Sequence, residues 1–228
     1  MERPFLSAIL LCSGSSNRFG SDKLFLKLLG KTVLQRSLEA FEKSDTIDEI
    51  IVVCKENSAD RIRKLIKKMR AKKVSSVVFG GETRFLSVRE GLKAVSEKSD
   101  FVAIHDGARP MISAECIKRV AEDAFEYGGA IASVPVKDTI KVSFGGFIES
   151  TPERSRLYSA QTPQIFKTVE FKEAIEKEEN IFLTDDSLVF ERGGKRVFLS
   201  KGENTNIKIT TPEDKEIALQ IIKKGAKK

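Results

Sequence analysis

The chain has 228 residues, of which 40% are hydrophobic and 32% charged, a length and make-up that bury about 70% or more of the unfolded surface without disulfide or metal staples. Its 40 Lys and Arg against 33 Asp and Glu leave a net charge of +7, which raises nucleic acid as a partner. The densest basic run, RIRKLIKKMRAKK from Arg61 to Lys73, carries no interleaved aromatics, so it offers no base-stacking surface and reads as a wet helix face.

Phe5–Leu11 is an apolar run that predicts a buried strand, followed by the loop LLCSGSSNRFGSDKLFL (Leu10–Leu26) and an amphipathic helix over Thr32–Glu42. Glu49–Val53 is a second strand. The basic run after it sets Ile62, Leu65, Ile66 and Met69 at helical spacing, giving one buried stripe. Val74–Phe79 and Phe101–His105 read as strands, followed by helices over Thr83–Ala94 and Ser113–Phe125. Ser113 is the N-cap of the second helix, with Glu115 in its first turn. Ala130–Val134 is a fifth strand. Continuous apolar strands alternating with helices predict a parallel sheet covered on both faces. After Pro135 the pattern breaks, and short alternating stretches around Gly145-Gly146 mark a β-hairpin. Such an arm has little core of its own and is expected to dock on another subunit. A helix over Asp185–Arg192, strands at Val197–Leu199 and Ile207–Ile209, and a helix from Pro212 complete the chain. The expectation is one domain over residues 1–228, with a dimerisation arm at about 136–158.

No stretch approaches the ~20 apolar residues of a membrane span, and MERPFLSAILLCSG has no basic start of the signal-peptide kind. Cys12, Cys54 and Cys116 form no CxxC pair and suit a reducing cytoplasm. Cys12 has no histidine neighbour to activate it, so it reads as a small buried thiol.

The first loop lies at the carboxyl edge of the sheet, where open α/β folds bind ligands. It is not a Walker A loop, since Gly14 and Gly20 are separated by five residues where that loop has four, and Ser21 follows Gly20. It is not a dinucleotide fingerprint either, since Ser16 takes the second glycine position. Arg18 and Lys23 give it two cations, suited to clamping a polyphosphate under attack; the competing reading is a plain βα connection. Gly80, Gly81, Glu82, Thr83 and Arg84 follow the third strand, and a glycine pair lets backbone approach a ligand closely. In HDGARP, Asp106 suits a metal or a ribose hydroxyl and Arg109 a phosphate. His105, the only histidine, reads as structural, and a His-based metal site is excluded. Thr184, Asp185 and Asp186 open a helix, where acids act as caps. Lys208, in NIKI, is a third candidate phosphate ligand.

In this order, the G-x-x-x-R…K loop, GGETR with Ser87, VAIHDGARP, VPVKDT, the arm, AQTPQIF, LTDD and NIKITTPED resemble the 2-C-methyl-D-erythritol 4-phosphate cytidylyltransferase family over nearly the whole chain. The resemblance implies a Rossmann-like α/β fold of the nucleotide-diphospho-sugar transferase type, with a mostly parallel sheet, helices on both faces and a protruding β-arm. It implies transfer of CMP from CTP to the methylerythritol phosphate, with release of pyrophosphate, in isoprenoid precursor biosynthesis. Arg18, Lys23 and Lys208 would be catalytic. Cys12, Ser13 and Gly14 would hold the nucleotide phosphates; Gly81, Glu82 and Ser87 would recognise cytosine. Asp106 and Gly107 would meet the ribose, and Asp106 would weakly hold Mg²⁺ or another divalent cation carried mainly by the CTP phosphates. Arg109, Thr162, Thr184 and Lys208 would surround the acceptor. Asp138, Thr139 and Arg154 would reach it from the second subunit of a cytoplasmic homodimer.

The chain departs from the family's usual loop at Cys12-Ser13, which replace small alanines, at Ser16, which replaces glycine, and at Asp22 and Leu24 beside the lysine. A ribitol 5-phosphate cytidylyltransferase of the same architecture is an alternative reading. A basic nucleic-acid-binding protein is another, resting on net charge alone. Neither a nucleic acid nor a membrane is an expected partner on the leading reading.

Overall fold

The computed structural model describes residues 3–14 and 22–225. In chain order the elements are β1 (Leu6–Cys12), β2 (Lys27–Leu28), β3 (Lys31–Thr32), α1 (Val33–Lys43), β4 (Glu49–Cys54), α2 (Glu56–Met69), β5 (Val74–Phe79), α3 (Arg84–Lys93), β6 (Phe101–Asp106), α4 (Ala114–Tyr127) and β7 (Gly129–Pro135). They continue with β8 (Val142–Phe144), β9 (Phe147–Ser150), β10 (Tyr158–Lys167), α5 (Thr168–Lys177), α6 (Asp186–Arg192), β11 (Phe198–Lys201) and α7 (Pro212–Gly225).

Seven strands form the main sheet in the order β11-β7-β10-β6-β1-β4-β5. Every pairing is parallel except the two made by β10, which runs antiparallel between β6 and β7. β1 and β6 are buried along their whole length, as expected of strands covered on both faces. Their alternate residues feed two cores. Leu6, Ala8 and Leu10 pack with α1, α2 and α4, while Ile9 and Leu11 pack with α3, α5 and α6. The expected α/β sheet with helices on both faces is therefore present.

The helix starts are set by short polar side chains. Thr32, Thr83 and Ser113 each accept from the backbone N–H three residues on, as N-caps do. The basic helix lies further toward the N-terminus than the expected Arg61–Lys73, ending where Arg70 adopts a left-handed φ of 52°. Its expected stripe faces the core through Ile62, Leu65, Ile66 and Met69.

Two expectations are corrected. Tyr158–Lys167, where no strand was expected beyond the arm's end at about 158, is a ten-residue strand inside the sheet. Pro163 and three buried polar residues disguised it, because proline is rare inside central strands. The strand accommodates them through a register shift between Ala160 and Gln164. Ile207–Ile209 is not a strand. Ile209 is buried against Leu28, Val33 and Ala218, but its N–H donates to the Ala108 carbonyl at 2.8 Å, so the segment runs beside a turn instead of joining the sheet. The hairpin is as expected, with Gly145 and Gly146 both at positive φ, 56° and 86°, the requirement of a type I′ turn.

Gly91, inside α3, lies close against the sheet. A Cβ there would stand 2.7 Å from Ile9 Cγ2 and 2.9 Å from Val53 Cγ2, both fully buried. Alanine gains up to about 1 kcal/mol in helix propensity, but overpacking costs about 1–3 kcal/mol, so Gly91→Ala should lower the urea unfolding midpoint. An unchanged or raised midpoint would show that the contact yields more easily than a packed core should.

Candidate active site

Because β1, β4, β5 and β6 are parallel, their carboxyl ends, Cys12, Cys54, Phe79 and Asp106, fall on one edge. A cleft of about 520 Å³ opens there, lined by Ser13, Gly14, Lys23, the Gly80–Arg84 segment, Asp106, Thr184 and Lys208 among others. This is where open α/β sheets bind ligands.

The glycines are needed for close approach. A Cβ on Gly80 would lie 2.6 Å from Ser87 Oγ and 2.7 Å from Ser13 Cβ; one on Gly81 would overlap Leu86; one on Gly107 would lie 2.8 Å from Cys12 Sγ. Ser87 sits beneath this floor. Its hydroxyl donates to the Thr83 carbonyl at 2.9 Å and accepts from Ser13 Oγ at 2.7 Å, joining the loops after β1 and β5. Cys12 is buried, and burial pushes its thiol pKa well up, so it stays a neutral thiol as its surroundings in the sequence suggested.

Asp106 is the electrostatic centre. Lys208 Nζ stands 2.8 Å from Oδ2, Arg109 Nε 3.7 Å from the same oxygen, and Arg84 Nε 3.6 Å from Oδ1. Burial works against the carboxylate, but Arg84, Lys208 and Arg109 outweigh it and hold the carboxyl well below the usual range. Arg84 in turn makes a bidentate pair with Asp186, at 2.7 and 2.6 Å. Burial works against the Arg84 cation too, yet Asp186, with Asp106 and Asp185, raises its pKa further.

Strand β10 anchors the segment that opens α6. Gln164 donates to Asp185 Oδ1 at 2.6 Å and accepts the Ser187 N–H at 2.9 Å, fixing the start of α6 next to Thr184. Asp185 was expected to cap that helix, but it makes no side-chain cap bond, because its carboxylate is engaged by Gln164 and by the Ser187 hydroxyl. Thr162 is buried, with Oγ1 accepting the Asp106 N–H at 3.1 Å and lying 3.0 Å from His105 Nδ1. His105 is fully buried, with its ring 4.7 Å from that of Phe41, and burial lowers its pKa to about 3.

The cleft thus gathers Cys12, Ser13, Gly14, Lys23, Gly81, Glu82, Ser87, Asp106, Thr184 and Lys208 from distant parts of the sequence. Arg109 stands behind Asp106, donating to the Asn206 carbonyl at 2.8 Å. Thr162 lies beneath the cleft, and Asp138, Thr139 and Arg154 sit exposed on the arm, outside the lining. Arg18 and Ser16 fall outside the described residues. Arg84, Asp186 and Lys55 were not singled out as site residues. Arg84 had a signal in GGETR, but its partner Asp186 is 102 residues away. Lys55, also in the lining, had none beyond following a strand.

The family described as IspD: 2-C-methyl-D-erythritol 4-phosphate cytidylyltransferase matches residues 6–224. The chain belongs to this family. A protein of that name from Clostridium acetobutylicum is 39% identical over 225 residues, spanning 96% of this chain and 98% of that one. Another from Clostridium tetani is 42% identical over 222 residues, spanning 95% and 90%. Among solved structures, the 4-diphosphocytidyl-2C-methyl-D-erythritol synthase of Anaerococcus prevotii superposes with a TM-score of 0.87 at 32% identity, covering 96% of each chain. The cytidylyltransferase of Thermus thermophilus gives 0.77 at 29% identity, covering 94% of this chain and 98% of that one. In this member of the cytidylyltransferase family, the sheet and its covering helices are thus those of an α/β nucleotidyltransferase-like fold.

The buried histidine gives the fold a pH dependence of known sign. The folded pKa of about 3 lies below the ordinary value near 6.5, so the unfolded chain takes up the proton first. Stability is complete above about pH 6.5 and falls as the pH drops toward about 3, at most about 1.4 kcal/mol per unit from this group. Urea midpoints should therefore drop between about pH 6.5 and pH 5, above the range where paired carboxylates such as Asp48 and Glu39 contribute. A flat profile over that window would contradict it.

Proposed function

We propose that the cleft holds CTP against the loops after β1 and β5 and a polyol phosphate beside Asp106 and Thr184, with Lys23 and Lys208 as the working cations. As a member of its family the chain is a CTP-dependent cytidylyltransferase. It transfers CMP to 2-C-methyl-D-erythritol 4-phosphate, releasing pyrophosphate, in isoprenoid precursor biosynthesis; no observation favours ribitol 5-phosphate over it. The observation that carries the site assignment is the cluster of Lys208, Arg109 and Arg84 around one carboxylate, in the same cleft as Lys23.

In the reaction a substrate phosphate oxygen attacks the α-phosphorus of CTP in line, and the bond to pyrophosphate breaks. The phosphate monoester is already a nucleophile, so no enzyme nucleophile is needed. The residues agree: the Cys12 thiol is held neutral and His105 is buried away from the cleft. What the protein supplies is position and charge neutralisation. Lys208 and Lys23, joined by Arg18 from the first loop, balance the charge that builds on the phosphates. Gly81, Glu82 and Ser87 present backbone and one hydroxyl to the cytosine, with Cys12, Ser13 and Gly14 toward the phosphates and Gly107 toward the ribose. Arg109 Nε is buried and has no hydrogen-bond partner among the described residues, which suits it to an anionic acceptor.

Among the described residues no three His, Cys, Asp or Glu side chains are grouped to hold a metal. Two carboxylates line the cleft, Glu82 on the loop after β5 and Asp106 at the end of β6, and Asp106 Oδ1 has Arg84 Nε 3.6 Å away. This donor set fits Mg²⁺ only as an ion carried by nucleotide phosphates with one or two protein ligands. When bound, the ion would neutralise phosphate charge. The arm is proposed as a homodimer contact. Phe144 and Phe147 are both 82% exposed and Ile148 66%, an apolar tip that a second subunit would cover, bringing Asp138, Thr139 and Arg154 to the partner's cleft. No helix among the described residues is long and apolar enough to cross a membrane. Its three cysteines are free and buried, which supports a cytoplasmic setting.

Pyrophosphate release with CTP and Mg²⁺ should be supported by 2-C-methyl-D-erythritol 4-phosphate and not by ribitol 5-phosphate; the reverse preference would overturn the acceptor assignment. Lys23→Ala and Lys208→Ala should each cost on the order of 10²–10³ in kcat with unfolding midpoints near wild type, and a near-normal rate in either removes that residue from the reaction. For the arm, mixing Arg154→Ala with Lys23→Ala chains should restore part of the activity. No recovery would mean that each cleft is complete within one chain.

A further inference from the structure

The turn from Asp106 to Arg109 carries the carboxylate and guanidinium of the acceptor side, and its two ends are joined through the protein interior. His105 Nε2 faces the Arg109 carbonyl oxygen at 3.4 Å. A carbonyl oxygen only accepts, so Nε2 carries the ring proton. The ring is fully buried, and neither of these ring partners is a carboxylate. An unpaired imidazolium is costly in such a place, so the ring is neutral and Nδ1 is an acceptor. The Thr162 hydroxyl, 3.0 Å from Nδ1, therefore donates to it. The same oxygen accepts the Asp106 N–H at 3.1 Å. Every link has one polarity, running from the Asp106 N–H through Thr162 and His105 to the Arg109 carbonyl. A second path closes the ring. Asn206 Nδ2 donates to the Thr162 carbonyl at 2.9 Å, while Arg109 donates to the Asn206 carbonyl at 2.8 Å. Asn206 is itself fully buried and lies two residues before Lys208.

We propose that His105, through Thr162, is a positioning residue for the transfer reaction: the relay sets where Asp106 and Arg109 stand in the cleft. The inference rests on the proposed use of Asp106 and Arg109 in catalysis.

Because the chain has a single histidine, ¹⁵N-resolved NMR of the imidazole reports this ring alone. The expected spectrum is a neutral ring protonated at Nε2, with the Nδ1 resonance moved by Thr162→Val and little changed by Thr162→Ser. A ring protonated at Nδ1, or an imidazolium at neutral pH, would overturn the relay. In kinetics, Thr162→Val and His105→Phe should each lower kcat roughly tenfold or more with a smaller change in KM for CTP. The double variant should lose little beyond the worse single one, and Thr162→Ser should recover most of the rate. Losses that multiply, or normal turnover in His105→Phe, would overturn the relay. If His105→Phe does not fold, His105→Asn replaces it, and a wild-type rate there counts against the relay. The spectrum needs no turnover, so an inactive wild-type enzyme would overturn the proposed function while the tautomer still tested the relay.

Discussion

The Asp106 carboxylate stands among three cations, Arg84, Arg109 and Lys208, and among the described residues only Arg84 has a second carboxylate, Asp186, paired to it at hydrogen-bond distance. With Asp185 also acting on Arg84, the cluster is close to charge balance, and Lys23 and Lys55 in the lining add the positive charge that the cleft presents. At an effective dielectric near 20, each contact at ~4 Å is worth about 4 kcal/mol before desolvation is subtracted. That is enough to hold the lysine and the guanidinia in place, yet it leaves a site that still attracts phosphate. Removing the carboxylate would leave three cations repelling one another in a half-dry pocket.

The sheet makes this arrangement possible through one reversed strand. Parallel strands deliver Cys12, Cys54, Phe79 and Asp106 to the same edge. β10 enters antiparallel between β6 and β7 and carries the polar residues that a buried parallel strand would lack. Gln161, Thr162 and Gln164 are all buried and all bonded. Gln161 reaches Glu203 N–H and C=O, Thr162 reaches Asp106, and Gln164 reaches the start of α6. One strand thus ties together three segments that carry site residues, those at 106–109, 184–187 and 203–208.

How much of this was legible in the sequence follows from the range of each interaction. Runs such as Ile50–Val53 and Phe101–Ile104 declare a buried strand by themselves, and Ser113 or Gly145-Gly146 set their helix or turn within a few residues. The motifs GGETR, HDGARP, LTDD and NIKI were visible too, and the cleft gathers residues from all four. What stayed hidden was pairing at a distance. Nothing local tells that Arg84 will meet Asp186, or that Asp185 will prefer Gln164 to the helix it precedes. Likewise β10 gave no strand signal, because only Ile165 and Phe166 form its apolar part and the partners of its buried polar residues lie in other segments. Ile207–Ile209 has the alternation of a strand, but the adjoining backbone is the turn at Ala108, and alternation does not reveal what lies alongside.

The burial of Cys12 and His105 bears on the chemistry as well as the core. Each is a residue type that elsewhere attacks substrate or moves protons, and here each is removed from that work by desolvation, the thiol pushed up and the imidazole down to about 3. A neutral thiol under Gly107 fills space that a charged one would disturb, and a neutral imidazole can keep a single tautomer and so a single set of hydrogen-bond directions. The reaction asks for this division. Its nucleophile and leaving group both arrive with the substrates, so the protein gains nothing from a reactive side chain and much from fixed cations. Groups that could have been reagents are instead used to hold the reagents' partners still.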